Sequence, residues 1–292
     1  MKIFFIGSVK FSASVLKKLI ELNADLIGVA TLKNSKFNSD HFDLMTICIK
    51  NNISCKYTKN INSDENIAWI KNLSPDIIFC FGWSRLLKNE LLNIPVKGVV
   101  GYHPTALPKH RGRHPLIWAL VLGLKKTGST FFFMDQGADS GDVLSQKDIK
   151  IYDSDNALTL YNRITKVALS QVEEFLPKLI RNKYDRKCQD ASKASIWRKR
   201  GERDGQIDWR MAANNIYNLV RALTRPYVGA HFFYQEKKII VWEVLILKNS
   251  EIDIEPGKVL SNDKDIIIKT GSDSIILKDY EPEITIKIDD HL

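Results

Sequence analysis

Over the first 180 residues, dense apolar runs alternate with stretches of helical period. Ile3 to Ile6 is a continuous apolar run, as in a strand covered on both faces. Gly7 ends it, and Ala13, Val15, Leu16, Leu19 and Ile20 then recur at helical spacing. Residues 24–32 return to a strand pattern around Leu26, Ile27, Val29 and Ala30. Strand, helix, strand is a βαβ unit and predicts a parallel sheet. The alternation continues with a helix over 64–73, a break at Pro75-Asp76 and a buried strand over 77–81. A short helix over 86–92, a strand over 98–102, a helix over 115–124 and a strand over 129–134 follow, then a long helix over 157–180. The class this predicts is α/β, with an open Rossmann-like parallel sheet in an N-terminal domain.

The pattern changes after residue 180. Residues 181–203 are polar and rich in lysine and arginine, with Ile196 and Trp197 as their few apolar anchors, and read as a surface linker. A helix over 212–223 follows, then short strand patterns at 230–234, 238–247, 257–260, 265–270 and 274–277. Strands this short, punctuated by Gly, Asn and Asp, suggest a small OB-like β-barrel. The expected division is a catalytic domain over 1–185, a linker over 186–205 and the OB-like domain over 206–292.

No apolar run is long enough for a membrane span, and the apolar N-terminus lacks a cleavage pattern, so a cytoplasmic setting is expected. The four cysteines are scattered with no CxxC, which argues against a metal site or a redox dithiol. A net charge of +9 suits anionic partners, although a lysine-rich composition accounts for it equally well. Nothing in the pattern fixes oligomeric state, and a homodimer stays open.

Neither GxGxxG nor GxxxxGK[ST] is present; the first turn, Gly7-Ser8-Val9-Lys10, holds a single glycine. The informative stretch is 98–142. A strand delivers His103 at its carboxyl end, where open α/β sheets place their sites. A loop dense in proline and basic side chains follows, containing Lys109, His110, Arg111, Arg113 and His114. The segment closes in a glycine-punctuated acidic turn with Asp135, Asp139 and Asp142. Its spacing does not fit an EF-hand loop, and an aspartate orienting a histidine is the simpler reading.

The run from His103 to Gly112, then Thr127-Gly-Ser-Thr130, then Asp135 to Asp142, resembles the signature of the formyltransferases that use N10-formyltetrahydrofolate. The later Asp208-Trp209, the run Val220 to Leu223, Pro226, Gly229-Ala230, Val241-Trp242 and Pro256 to Leu260 resemble the small C-terminal domain of the tRNA and sugar members. The resemblance covers nearly the whole chain. It implies His103 and Asp139 as the catalytic pair and N10-formyltetrahydrofolate as co-substrate, without a metal. It also implies a folate-facing turn comprising Phe81, Gly82, Trp83, Arg85 and Leu86, joined by Asp142. Gly101 stands where the family has an asparagine that holds the developing oxyanion; His114, with His110, is the candidate substitute donor. Ser8, Lys10, Lys109, Arg111 and Arg113 are the candidate substrate-binding residues.

Within the resemblance two acceptors compete. The tRNA members carry a basic, glycine-containing insertion after the second strand, whereas residues 31–43 here hold two lysines, two aspartates, no arginine and no glycine. That is a poor phosphate grip, and Gly112-Arg113-His114-Pro115 also looks more like the sugar members. The amine of a nucleotide-linked amino sugar is therefore favoured over methionyl-tRNA. A third reading, from Gly101, is a catalytically impaired module that binds folate or a nucleotide sugar.

Overall fold

The computed structural model describes residues 1–35, 39–249 and 251–292, which fall into two compact units. The first comprises residues 1–115, 127–149 and 162–197, the second residues 116–126, 150–161 and 198–292.

In chain order the first half contains β1 (Ile3–Ile6), α1 (Lys10–Glu21), β2 (Leu26–Thr31), α2 (Met45–Lys50), β3 (Cys55–Tyr57), α3 (Asp64–Leu73) and β4 (Ile77–Cys80). It continues with α4 (Asn89–Leu92), β5 (Val99–His103), β6 (Arg111–Gly112), α5 (Pro115–Val121), β7 (Lys126–Phe133), β8 (Val143–Lys150) and α6 (Ala157–Ile180). Seven strands form one sheet in the order β3-β2-β1-β4-β5-β7-β8. From β3 to β5 every pairing is parallel, and β7 lies antiparallel on β5. The continuous apolar runs of β1 and β4 are wholly buried, as a sheet covered on both faces demands.

One face is filled by aromatic rings. Phe79, Phe81, Phe131 and Phe175 pack with centroids 4.9–5.2 Å apart in sequence from ring to ring, and Phe11 stacks on Tyr102 at 4.3 Å. The other face holds Phe4, Ile6, Ile61, Ile67, Ile70, Ile78 and Leu91, with Met134 and Trp83 against them. Both faces being full, β5 has one register, and that register places His103 at its carboxyl end.

The sequence pattern anticipated the parallel core but not β3, β8 or α2. These are short or half-exposed elements, in which burial is too partial to leave a clear period. Residues 181–197 also make specific pairings. Val143 and Lys187 exchange two backbone hydrogen bonds of 2.8 and 2.9 Å, and β9 (Ile196–Trp197) pairs in parallel with β6.

The second unit carries α7 (Ala213–Leu223), β10 (Ala230–Tyr234), β11 (Lys237–Leu247), β12 (Val259–Ser261), β13 (Ile266–Lys269) and β14 (Ser274–Glu281). The strands form an antiparallel sheet in the order β10-β11-β14-β13-β12. Ile216, Leu219, Val220 and Leu223 of α7 are buried, as are Phe232, Val241, Val244, Ile268, Ile275 and Leu277 of the sheet. Nη1 of Arg221 donates among the carbonyl oxygens of Tyr152, Asp153 and Asp155, and its Nε donates to Asn218 Oδ1. No helix among the described residues is long and apolar enough to cross a membrane.

Candidate active site

β5 ends at His103, which is 5% exposed. Its Nε2 lies 2.8 Å from the carbonyl oxygen of His110. A carbonyl can only accept, so Nε2 carries the hydrogen and donates. In the neutral ring the lone pair is then on Nδ1. That nitrogen faces Oδ2 of Asp139 at 3.7 Å, beyond hydrogen-bond reach but close for a charge. The same Oδ2 accepts the backbone N–H of Gly112 at 2.9 Å. The predicted pair is thus together, and the loop between its members is bonded to both.

Asp139 sits at φ +54° in the turn after β7. Asp135 holds that turn: its Oδ1 accepts from Gly137 N at 2.9 Å and from Ser140 Oγ at 2.7 Å. Among the described residues no three His, Cys, Asp or Glu side chains converge as metal ligands. Asp142 is partly buried at the turn's end, its carbonyl accepting from Phe133 N.

Gly101 lies two residues before His103 on the same face of β5, paired with Phe132. A Cβ there would come to 2.9 Å from Met134 Cγ and 3.0 Å from Phe132 Cζ. The space that a side chain at position 101 would enter is filled by Met134 and the edge of Phe132.

His110 has φ +63°, and its ring lies parallel to Trp197 at 4.0 Å and 5°. Its backbone N–H donates to Ser195 Oγ at 2.9 Å. Burial, aided by the positive charge of Lys109 and by the neighbouring His103, lowers its pKa below the ordinary imidazole value. Arg111 gives Nε and Nη2 to Oε1 of Gln189, and Arg113 gives Nη1 to the Ser84 carbonyl at 3.2 Å. His114 is partly buried at φ +55°, directly before α5, and Lys109 is exposed.

The candidate folate turn follows β4. Gly82 has φ +68°, and a Cβ there would run into Val9 of the β1–α1 turn and Ser12 in the first turn of α1. Phe81 is buried, Trp83 half-buried, and Arg85 and Leu86 exposed. Trp83 packs on the core, while its Nε1 is buried with no hydrogen-bond acceptor among the described residues. The β1–α1 turn saturates its own amides. Ser8 N and Val9 N donate to Ser12 Oγ, and Lys10 N donates to the Asp40 carbonyl. Ser8 is fully buried with its Oγ toward Gly82 O, and the Lys10 side chain is exposed.

Three residues that hold the site were not singled out from the sequence: Gln189, Ser195 and Trp197. They lie in the basic stretch read as a linker. The signal available was Ile196-Trp197, an apolar pair with no helix or strand pattern of its own to serve.

A histidine–carboxylate pair thus lies at the carboxyl end of a central strand in an open α/β sheet, and a small antiparallel sheet follows along the chain. The chain belongs to the formyl transferase family: residues 1–175 match the formyl transferase model and residues 201–289 its C-terminal domain. It is 39% identical over 218 residues to the bifunctional polymyxin resistance protein ArnA of Wigglesworthia glossinidia brevipalpis, covering 73% of this chain and 32% of that protein. It therefore spans about a third of that relative's length. Identity is 29% over 291 residues to a methionyl-tRNA formyltransferase of Caldanaerobacter subterraneus subsp. tengcongensis, covering 97% of this chain and 93% of the relative. Among solved structures, the sugar 3N-formyltransferase WlaRD, determined with dTDP and 5-N-formyl-THF, superposes with a TM-score of 0.72 at 19% identity over 97% of this chain and 99% of that one. The protein is a formyltransferase with that family's fold.

Proposed function

We propose that this formyltransferase moves the formyl group of N10-formyltetrahydrofolate to the amine of a nucleotide-linked amino sugar. The observation that carries the reading is the His103–Asp139 pair, with its tautomer fixed by the His110 carbonyl.

The geometry supports the following roles. The neutral acceptor amine attacks the formyl carbon, a C–N bond forms, and the carbonyl pair moves onto oxygen. The amine's surplus proton goes to Nδ1 of His103, because Nε2 already carries its hydrogen. The imidazolium so formed sits 3.7 Å from Asp139, whose charge stabilises it in a buried setting. Nδ1 then returns the proton to the departing N10, the old C–N bond breaks, and tetrahydrofolate and the formamide leave. The oxyanion needs a donor that Gly101 does not supply. His114 is assigned that role, and full turnover in His114→Ala would remove it.

Three observations favour the sugar acceptor. WlaRD, solved with dTDP and 5-N-formyl-THF, aligns over nearly the whole chain. Asp43 accepts from Tyr57 Oη at 2.7 Å and Met45 N at 2.9 Å, and His41 donates to the Leu32 carbonyl. The described part of the 31–43 loop is thus tied back to the body, while Lys36, Phe37 and Asn38 lie outside the described residues. Methionyl-tRNA remains the second reading, on the full-length similarity to the tRNA enzyme.

The test is formyl transfer from N10-formyltetrahydrofolate to a panel of UDP-, dTDP-, GDP- and CMP-linked amino sugars, with methionyl-tRNA in parallel. Turnover on one sugar nucleotide, lost in His103→Ala, establishes the reading. Turnover on methionyl-tRNA alone replaces it. Folate binding without turnover on any acceptor makes the chain a binding module.

A further inference from the structure

We propose that Gln189 is a positioning residue of this active site, fixing the backbone on which Asp139 and Arg111 stand. Its Nε2 donates to the carbonyl oxygens of Asp139 at 2.9 Å and Gly141 at 2.7 Å. Its Oε1 accepts from Nη2 of Arg111 at 2.7 Å and from Nε at 3.2 Å. A primary amide has two donors and one oxygen with two lone pairs, and all four are used. The orientation is determined chemically: carbonyls only accept and a guanidinium only donates, so the amide cannot be flipped. The residue is 9% exposed; its bond to the Gly141 carbonyl is buried, and those to Asp139 and Arg111 are partly buried.

The placement is what makes this catalytic support. Asp139 occupies the left-handed region, which L-residues other than glycine adopt only as single positions held by their surroundings. Gln189 grips the carbonyl of that residue and of Gly141, two positions on. The other end of the amide grips Arg111, whose neighbour Gly112 donates to the Asp139 carboxylate and whose other neighbour His110 holds His103 Nε2. One buried side chain therefore ties together the loop that bears the acid and the loop that sets the base. The segment carrying it is pinned on both sides, by the Val143–Lys187 bridge before and by Ser195 and the β6–β9 pairing after.

The inference rests on His103 and Asp139 performing the chemistry, and its test has one readout that needs no acceptor. Gln189→Glu keeps the shape and the acceptor toward Arg111 but turns an oxygen on both carbonyls. Gln189→Met keeps the length and removes every polar contact. In both variants amide hydrogen exchange at Gly112 should accelerate at least tenfold, with Tyr102 and Phe131 in the strands unchanged. On the acceptor found by the panel, kcat should fall about 10- to 100-fold with KM for the formyl donor within twofold, as expected for misplacement of a reacting group. For Gln189→Glu alone the deficit relative to wild type should shrink as pH falls, because a protonated carboxyl can donate to one of the two carbonyls again. The proposal is overturned if Gly112 keeps its protection, if protection falls equally through β5 and β7, if the two variants show the same pH dependence, or if neither folds. A silent acceptor panel with a loosened Gly112 would fault the acceptor reading and leave this one standing.

Discussion

At the residue scale the proposed chemistry turns on which imidazole nitrogen is free. The His110 carbonyl takes the Nε2 hydrogen of His103, so the exchangeable proton belongs to Nδ1, on the Asp139 side. His103→Ala should lower kcat by at least about 100-fold, the lower end of general acid–base contributions. Binding of 5-formyltetrahydrofolate, followed by calorimetry, should be retained. Asp139→Asn is more diagnostic, since an amide oxygen can still accept from Gly112 N while the charge beside Nδ1 is gone. A large fall in kcat with unchanged thermal stability would assign the charge, whereas wild-type turnover would reduce Asp139 to a loop tether. Gly101 makes the second residue-scale case. A Cβ at 2.9 Å from Met134 Cγ means that Gly101→Asn overpacks the strand, with an expected cost of about 1–3 kcal/mol. Restoring the family asparagine alone should therefore lower stability without raising kcat. Gly101→Asn with Met134→Ala frees the volume, and urea unfolding should recover relative to the single variant. If Gly101→Asn alone is as stable as wild type, the packing account of position 101 fails.

At the element scale the decisive pieces are the shortest, β6 and β9, two residues each. Their pairing puts the Trp197 ring on His110 and Ser195 Oγ on the His110 amide, fixing the residue whose carbonyl sets His103. Burial first, then the charge of Lys109 and the neighbouring His103, lowers the pKa of His110. The unfolded chain binds a proton there near the usual value of about 6.5, and the folded chain only at lower pH. In that window the unfolded state holds more protons. The stability contributed by neutral His110 is thus present above it and lost as pH falls through it. Asparagine tolerates the positive φ, so His110→Asn removes the titration without backbone strain. The stability difference between wild type and His110→Asn, from urea unfolding, should shrink as the pH is taken from about 7 to 5.5. A constant difference would show that His110 does not titrate differently on folding. These elements also mark where the sequence stopped being readable. β1 and β4 are continuous apolar runs buried on both faces, β7 is buried but apolar only from Phe131 to Phe133, and β5 runs through Val99, Val100, Gly101 and Tyr102. His103 was legible because it ends the β5 run. Gln189 was not, since its partners are two carbonyl groups and a guanidinium about 50 and 78 positions away. No local pattern encodes bonds of that separation.

At the scale of the whole molecule, the charge of +9 bears on the acceptor. It is the excess of 43 basic over 34 acidic side chains, which ion pairs leave unchanged, although several of the basic side chains are paired locally. Lys18 meets Glu21 and Glu173, Lys71 meets Glu90, Arg210 meets Asp208 and Arg225 meets Asp279. Exposed pairs of this kind add about 0–1 kcal/mol each to stability, but they do neutralise the surface on which they sit. A tRNA acceptor would engage a run of phosphates and release a counterion at each, so affinity would fall steeply with salt, the logarithmic slope rising with the number of contacts. A nucleoside diphosphate sugar presents only two phosphates, and its KM should respond to salt far less. The measurement is kcat/KM for the favoured acceptor between about 50 and 200 mM salt, where a protein making 6–10 phosphate contacts loses roughly 1,000-fold or more in affinity. The sugar reading expects a change of about tenfold or less over that range. A collapse of the larger kind would show that the surface lysines grip a polyanion, and would move the assignment to the tRNA reading even if an amino sugar were turned over slowly.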